Sequence, residues 1–254
     1  MNSNNVTSDE IKLDVDLILW STKLSGLYRF THQRFWEKET FEHEYAMRID
    51  GVDKSGNKVP RAESVAEHSW HIADIILILA PKFKGLNIEK CLLHAILHDK
   101  LEIITGDKNP LGKNGKGTKS HAFNEIKKQK KDYLESQALN IYLKKLNSSA
   151  LSIQKEILED TIELATIESK FVKAIDKIHP LTYIIRKKQG DMLDEHISFT
   201  LKYSRTYYKF FPGLEPYYSE LIHRLFVLIG QKRNVSIELL QKQFSSEQLD
   251  LFKL

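Results

Sequence analysis

Cysteine is almost absent from this 254-residue chain, with Cys91 standing alone. A lone thiol excludes an internal disulfide, a CxxC redox pair and a cysteine-based zinc cluster, and it fits a reducing compartment. Glycine (11) and proline (6) are sparse, which excludes a collagen-like or low-complexity chain. No run approaches the roughly 20 apolar residues that span a bilayer; the longest, residues 75–80, is closely flanked by polar side chains. Residues 1–10 are rich in Asn and Ser and lack the apolar core of a secretory signal. A cytoplasmic protein with no membrane partner is the expectation. Neither sign of charge dominates. The 38 basic and 34 acidic side chains leave +4, which permits an anionic partner without requiring one.

What is present is ordinary for a globular protein: 41% hydrophobic and 28% charged residues, enough to build a substantial core. The apolar spacing is mostly helical. Leu13, Leu17, Trp20, Leu24 and Leu27 recur at three and four, predicting a helix over 11–28. Residues 37–60 break the rhythm with charges, Gly51 and Gly56; they read as an exposed insertion, with a small β-hairpin around 41–60. Ser64-Val65-Ala66-Glu67 matches a capping box, predicting a helix that stops near Pro81. A second helix is expected over 87–105, with Gly106 in the position that favours a left-handed residue. Residues 107–120 read as a mobile loop. Helical patterns resume over 122–146, 151–188 and 191–210, with Pro180 kinking the long one or opening a new helix. Helices near 215–231 and 236–252 follow the Pro212-Gly213 break. Strand-like alternation is scarce, so the expectation is all-α, in a single domain over 1–254.

Four side chains form the chemical constellation: His68, His98, Asp99 and Asp176. His68 shares the buried face of the capped helix with Val65 and Ile72. His98 follows Ala95 by three on the next helix, and Asp99 lies about 100° further round. Two adjacent residues reach one ion only if the helix presents its edge. Asp176 follows Val172 by four on a third helix. Buried carboxylates are costly without a compensating charge, and one divalent cation would stabilise all four groups. Mixed imidazole and carboxylate ligation suits Mn, Co, Ni, Zn or Fe better than Ca or Mg. Four protein ligands on a six-coordinate ion leave room for water and substrate.

Three ordered blocks carry a family resemblance. Glu63-Ser64-Val65-Ala66-Glu67-His68-Ser69, then His98-Asp99-Lys100-Leu101-Glu102 with Thr105-Gly106-Asp107, then Phe171-Val172-Lys173-Ala174-Ile175-Asp176-Lys177 resemble the HD-domain metal-dependent phosphohydrolases, closest to their 5′-deoxynucleotidase branch. The resemblance implies an HD-domain helical bundle with its core over about 11–190 and a C-terminal helical extension over 191–254. It also implies one divalent metal on His68, His98, Asp99 and Asp176, a homodimer, and hydrolysis of a small phosphorylated metabolite, a (deoxy)nucleoside 5′-monophosphate, by a metal-activated water. Glu102 falls on the acidic residue that orients or deprotonates that water, and its place four after His98 agrees. Asp107 falls on a substrate-contacting aspartate. Arg29 and Arg61 resemble basic residues that hold the phosphate, for which a guanidinium fork is well shaped. This chain has Lys108-Asn109-Pro110 where those enzymes tend to have Thr-Pro after the aspartate, which leaves the sugar and the number of phosphates open.

Residues 108–131 carry eight Lys and one Glu, the arrangement of a solvated face or of a surface that gathers a phosphorylated substrate. Phe123 is the one aromatic side chain in this stretch, so nucleic acid is not the expected partner. The aromatic cluster Tyr203, Tyr207, Tyr208, Phe210, Phe211, Tyr217 and Tyr218 reads as core or interface packing. Two other functions stay open: a deoxynucleoside triphosphate triphosphohydrolase on the same site, and a non-catalytic binding module.

Overall fold

The structure, a computed structural model, describes residues 7–29, 63–112, 117–146 and 148–245. Among these residues there is no strand, only an isolated antiparallel bridge between Tyr28 and Ser64. No described helix is long and apolar enough to cross a membrane. The hairpin expected around 41–60 lies outside the described residues, as does Arg61. The described chain divides into two compact units: residues 7–29, 63–108 and 129–169, and residues 109–112, 117–128 and 170–245.

The first unit opens with α1 (Ser8–Ser21), capped reciprocally by Thr7 and Glu10. The helix expected to reach residue 28 instead tightens into a 3-10 turn at Thr22–Gly26. The hydroxyls of Thr22 and Ser25 donate to the carbonyls of Leu19 (2.7 Å) and Thr22 (2.6 Å), and such back-bonding competes with the α ladder. α2 (Val65–Leu79) begins at the anticipated capping box: Glu67 N donates to Ser64 Oγ at 3.1 Å, and Ser64 N donates to Glu67 Oε2 at 2.8 Å. Such a cap contributes about 1 kcal/mol. Its apolar face buries Val65, Ile72 and Ile76, and α2 packs on α3 (Ile88–Leu97).

The single helix expected over 87–105 is two helices. The α ladder stops at Leu97, and α4 is one turn, Glu102–Thr105. Between them the backbone closes three-residue bonds, Lys100 N to Leu97 O (2.9 Å) and Glu102 N to Asp99 O (3.0 Å). Gly106 ends α4 at φ +69° and ψ 155°. The positive φ suits glycine, but the conformation is extended and not the left-handed helical cap expected of it. α5 (Glu125–Leu143) and α6 (Ser148–Glu163) complete the unit. Its core joins Leu97, Leu101, Ala138, Tyr142, Leu146, Ile157 and Leu158, with Trp20 stacked on Tyr142 at 5.5 Å between centroids.

The long helix expected over 151–188 is also divided, but not by its proline. α7 (Ile167–Lys188) runs on through Pro180. The break falls after Glu163, where Leu164 takes φ +54° and Asp160 gathers the freed donors: Ala165 N at 3.1 Å, Thr166 N at 3.0 Å, Ser169 Oγ at 2.8 Å and the Thr166 hydroxyl. An acidic side chain that satisfies exposed N–H groups ends one helix and starts the next.

The second unit holds most of α7, then α8 (Asp194–Arg205), two 3-10 turns at Thr206–Lys209 and Pro212–Leu214, α9 (Glu215–Arg233) and α10 (Ile237–Gln243). The aromatic cluster packs in its core. Tyr207 and Tyr218 are buried with centroids 4.8 Å apart, Tyr207 donates to Glu215 Oε2 at 2.5 Å, and Phe171 meets Phe211 edge-on. At the α7–α8 turn Gly190 has φ +86°, and a β-carbon there would lie 2.2 Å from Leu228 O. Only glycine serves a backbone this close in that conformation.

Candidate metal centre

The first unit assembles its polar centre from three short stretches. Arg29 N donates to Glu63 O at 2.8 Å and Val65 N to Leu27 O at 2.8 Å. This seam sets Arg29 and Glu63 side by side just before the capped start of α2. One turn into α2, His68 is fully buried. The tightened turn after α3 then presents His98 and Asp99 to it.

Their donor atoms converge. Asp99 Oδ2 lies 3.3 Å from His98 Nε2 and 3.6 Å from His68 Nε2, and the two rings are 5.1 Å apart. Each of the other ring nitrogens has a polar neighbour behind it. His98 Nδ1 donates to Ala95 O at 2.8 Å, which turns its Nε2 toward Asp99. His68 Nδ1 lies 3.8 Å from Glu63 Oε2, and Glu63 in turn holds His71 Nδ1 at 2.8 Å. Outer partners of this kind fix the tautomer and raise ligand basicity.

The electrostatics are those of a crowded acidic site. Burial raises the Glu63 carboxyl, although Arg29 and His71 oppose it. Burial also works against ionised Asp99, but His98, His68 and Arg29 together hold its carboxyl well below the usual range. Arg29 Nη1 is 3.4 Å from Asp99 Oδ2, and its Nε is 3.9 Å from Glu63 Oε2. Glu102 is pushed the other way: burial first, then Asp99 and Asp107, raise it well above an ordinary glutamate. Its Oε2 is buried with no hydrogen-bond partner among the described residues.

This donor set fits a metal ion. Ligands at about 2.1 Å from one ion hold neighbouring donor atoms roughly 3.0–3.4 Å apart, close to the 3.3 and 3.6 Å found here. A buried carboxylate oxygen without a partner beside them is the kind of group a hydrated cation satisfies.

A family model of the HD domain matches residues 51–215. The chain belongs to the HD domain family. Among curated proteins this HD-domain chain is 29% identical over 140 residues to the 5′-deoxynucleotidase hdd1 of Schizosaccharomyces pombe (52% of this chain, 64% of that one). It is 29% identical over 126 residues to the 5′-deoxynucleotidase YBR242W of Saccharomyces cerevisiae (48% of each), and 28% identical over 119 residues to the human 5′-deoxynucleotidase HDDC2 (47% and 52%). The chain thus spans between about half and two thirds of the length of these relatives. Among solved structures it resembles a predicted metal-dependent phosphohydrolase of Magnetospirillum magnetotacticum MS-1, at a TM-score of 0.60 and 18% identity, covering 88% of this chain and 97% of that one. At that identity the likeness concerns the fold, which is all-α as expected.

Of the residues singled out from sequence, His68, His98, Asp99, Glu102 and Arg29 meet in the first unit, and Asp107 acts on Glu102 from the end of α4. Asp176 belongs to the second unit. It is buried on α7, with Lys173 Nζ and Lys177 Nζ each at 3.4 Å. His94 points away from the centre to Asp160 (3.1 Å) and Thr161 (2.8 Å). Glu63 carries no role in the sequence reading beyond its place in the first block. Its signal is position: it directly precedes the cap residue of the helix that buries His68.

Proposed function

We propose that the protein is a metal-dependent phosphohydrolase that removes phosphate from a nucleoside or deoxynucleoside 5′-monophosphate, with water as nucleophile. The observation that carries this reading is the convergence of His68 Nε2 and His98 Nε2 on Asp99 Oδ2, at 3.6 and 3.3 Å. The names of the curated relatives support the substrate class.

The proposed metal ligands are those three residues and Asp176, which enters through the resemblance of its Phe171–Lys177 block. Imidazole and carboxylate donors favour Mn, Co, Ni, Zn or Fe. A divalent ion so held supplies Lewis acidity toward a phosphoryl oxygen and acidifies water. The chain's own groups do the rest. Glu102, whose proton affinity is raised by its surroundings, accepts in its ionised form a proton from the attacking water and returns it to the leaving oxygen. Arg29 offers guanidinium N–H groups to the phosphate from beside Asp99, and the proposed roles of Arg61 and Asp107 are phosphate and substrate contacts. Glu63 sets a carboxylate beside the ring of His68. A cytoplasmic homodimer is part of the same proposal.

A matrix of metals (Mn, Co, Ni, Zn, Mg) against nucleoside mono- and triphosphates tests it. Orthophosphate release from monophosphates, lost in Asp99→Ala together with bound metal, is the expected result. Release of tripolyphosphate would replace the reading with a triphosphohydrolase, and full turnover in Asp99→Ala would overturn the mechanism.

A further inference from the structure

One basic residue of the lysine-rich stretch behaves differently from its neighbours. On α5, Lys127, Lys128 and Lys130 are exposed. Lys131 is not: its side chain is only 25% exposed, and its ammonium is ion-paired with Glu135 one turn on. The register explains this. Lys131, Glu135, Ala138 and Tyr142 stand at i, i+4, i+7 and i+11, a single stripe along the helix. Ala138 and Tyr142 are buried in the cluster that contains Leu97 and Leu101. The stripe therefore lies on the segment that flanks Asp99, and Lys131 sits at its N-terminal end. Its positive charge acts on Asp99 and Glu102.

A long, flexible, strongly hydrated lysine is a costly residue to place on a core-facing stripe. Glu135 satisfies one of its three N–H donors and leaves two for another acceptor. The centre also has a charge problem that Lys131 addresses. Glu63, Asp99, Glu102 and Asp107 crowd the place where a phosphate dianion must approach, while Arg29 is already engaged by Asp99 and Glu63.

We propose that Lys131 is a phosphate-binding residue of this centre, a second cation beside Arg29, held in position by Glu135. The proposal rests on the phosphohydrolase reading above and deepens it: the group recognised is a phosphomonoester dianion. The bland lysines 127, 128 and 130 then serve only as a solvated face.

The test measures inorganic phosphate binding to the metal-loaded protein by calorimetry, alongside kcat and KM for a deoxynucleoside 5′-monophosphate. Lys131→Met should weaken phosphate binding and raise KM by roughly ten- to a hundredfold, the loss expected for a hydrogen bond between charged groups. It should leave metal affinity within about twofold of the parent. Lys131→Arg should recover most of the phosphate affinity, and Lys128→Met should change nothing. If Lys131→Met does not fold, Lys131→Gln, which still donates to Glu135, is read in the same way. Unchanged phosphate affinity in the folded variant overturns the proposal, as does a parallel loss of metal, which marks a structural role. A parent that binds phosphate but hydrolyses no nucleotide would refute the substrate reading and leave the phosphate-site result standing on its own.

Discussion

Replacing Asp160 by Ala removes the acceptor on which the α6–α7 junction is built, and its cost follows from its partners. The carboxylate takes Ala165 N, Thr166 N, Ser169 Oγ and the Thr166 hydroxyl, and His94 Nε2 donates to it at 3.1 Å. Lys90 Nζ stands 3.4 Å away. Ser169 keeps a second partner in Thr166 O (3.0 Å), and the Thr166 hydroxyl keeps Ser169 Oγ. Three donors are therefore orphaned: two backbone N–H groups and an imidazole that is 1% exposed. Only the imidazole is buried, since Ala165 is exposed and Thr166 half-buried. About 1–3 kcal/mol for the imidazole and about 1 kcal/mol for the lost cap of the two backbone N–H groups give an expected destabilisation of about 2–4 kcal/mol. Asp160→Asn, which keeps the shape and one acceptor, should cost roughly half of that. Urea unfolding at pH 7 measures both. The pH dependence supplies a second check. Burial opposes the charged form, but Thr166, Ser169 and His94 hold the folded pKa below the ordinary value of 3.8. A depressed carboxylate gives stability that is present above its unfolded pKa and lost as the pH falls through the folded one. The gap between parent and Asp160→Ala should narrow as the pH falls below about 4. A cost under about 1 kcal/mol, or a gap that widens in acid, would refute the account of the junction.

Other perturbations separate chemistry from scaffold. Glu102→Gln should lower kcat by roughly 10²–10⁴-fold while metal content by elemental analysis stays at the parent level. Metal at about 100 times its Kd should stabilise the parent by about 2.7 kcal/mol, seen as a rise of several degrees in Tm, and His98→Ala should abolish that rise. Ser64→Ala should cost about 1 kcal/mol through the lost cap of α2, measured by the same urea titration. Gly190→Ala should cost at least about 2 kcal/mol, because a β-carbon meets Leu228 O at 2.2 Å in a left-handed backbone.

How much of this was legible in the sequence depends on which physical signal each feature leaves. The cap of α2 is written in four residues, Ser64 to Glu67, and the structure uses them as written. Gly106 ends α4 with a positive φ, as a glycine can. The chemical residues His68, His98 and Asp99 are legible because buried polar side chains on apolar helix faces require partners. The α6–α7 break leaves no apolar trace. It is made by a side chain, Asp160, that bonds donors five and six residues ahead, and no periodicity reports that. The meeting of Arg29 with Glu63 is equally silent, because it depends on backbone pairing across a separation of 34 residues.

The division of the helix over 87–105 shows why pattern and geometry part company at the centre. Leu97, Leu101 and Ile104 continue at i, i+4 and i+7 across the break, and all three join the same apolar cluster, so the apolar rhythm never falters. What changes is the hydrogen bonding, from four-residue to three-residue closure at Lys100 and Glu102. A regular helix would point His98 and Asp99 about 100° apart. Here Asp99 Oδ2 reaches Nε2 of His98 at 3.3 Å and of His68 at 3.6 Å. The apolar side chains keep their seats in the core while the backbone between them is retightened, and the convergence of donors occurs where it is retightened. A variant that restores an unbroken α-helix through residues 98–101 should therefore keep its core and its stability yet lose metal. Loss of metal affinity at unchanged urea midpoint, measured by calorimetry and unfolding on the same protein, is the expected outcome. Retained affinity in a demonstrably regular helix would mean that the tightened turn has no part in assembling the centre.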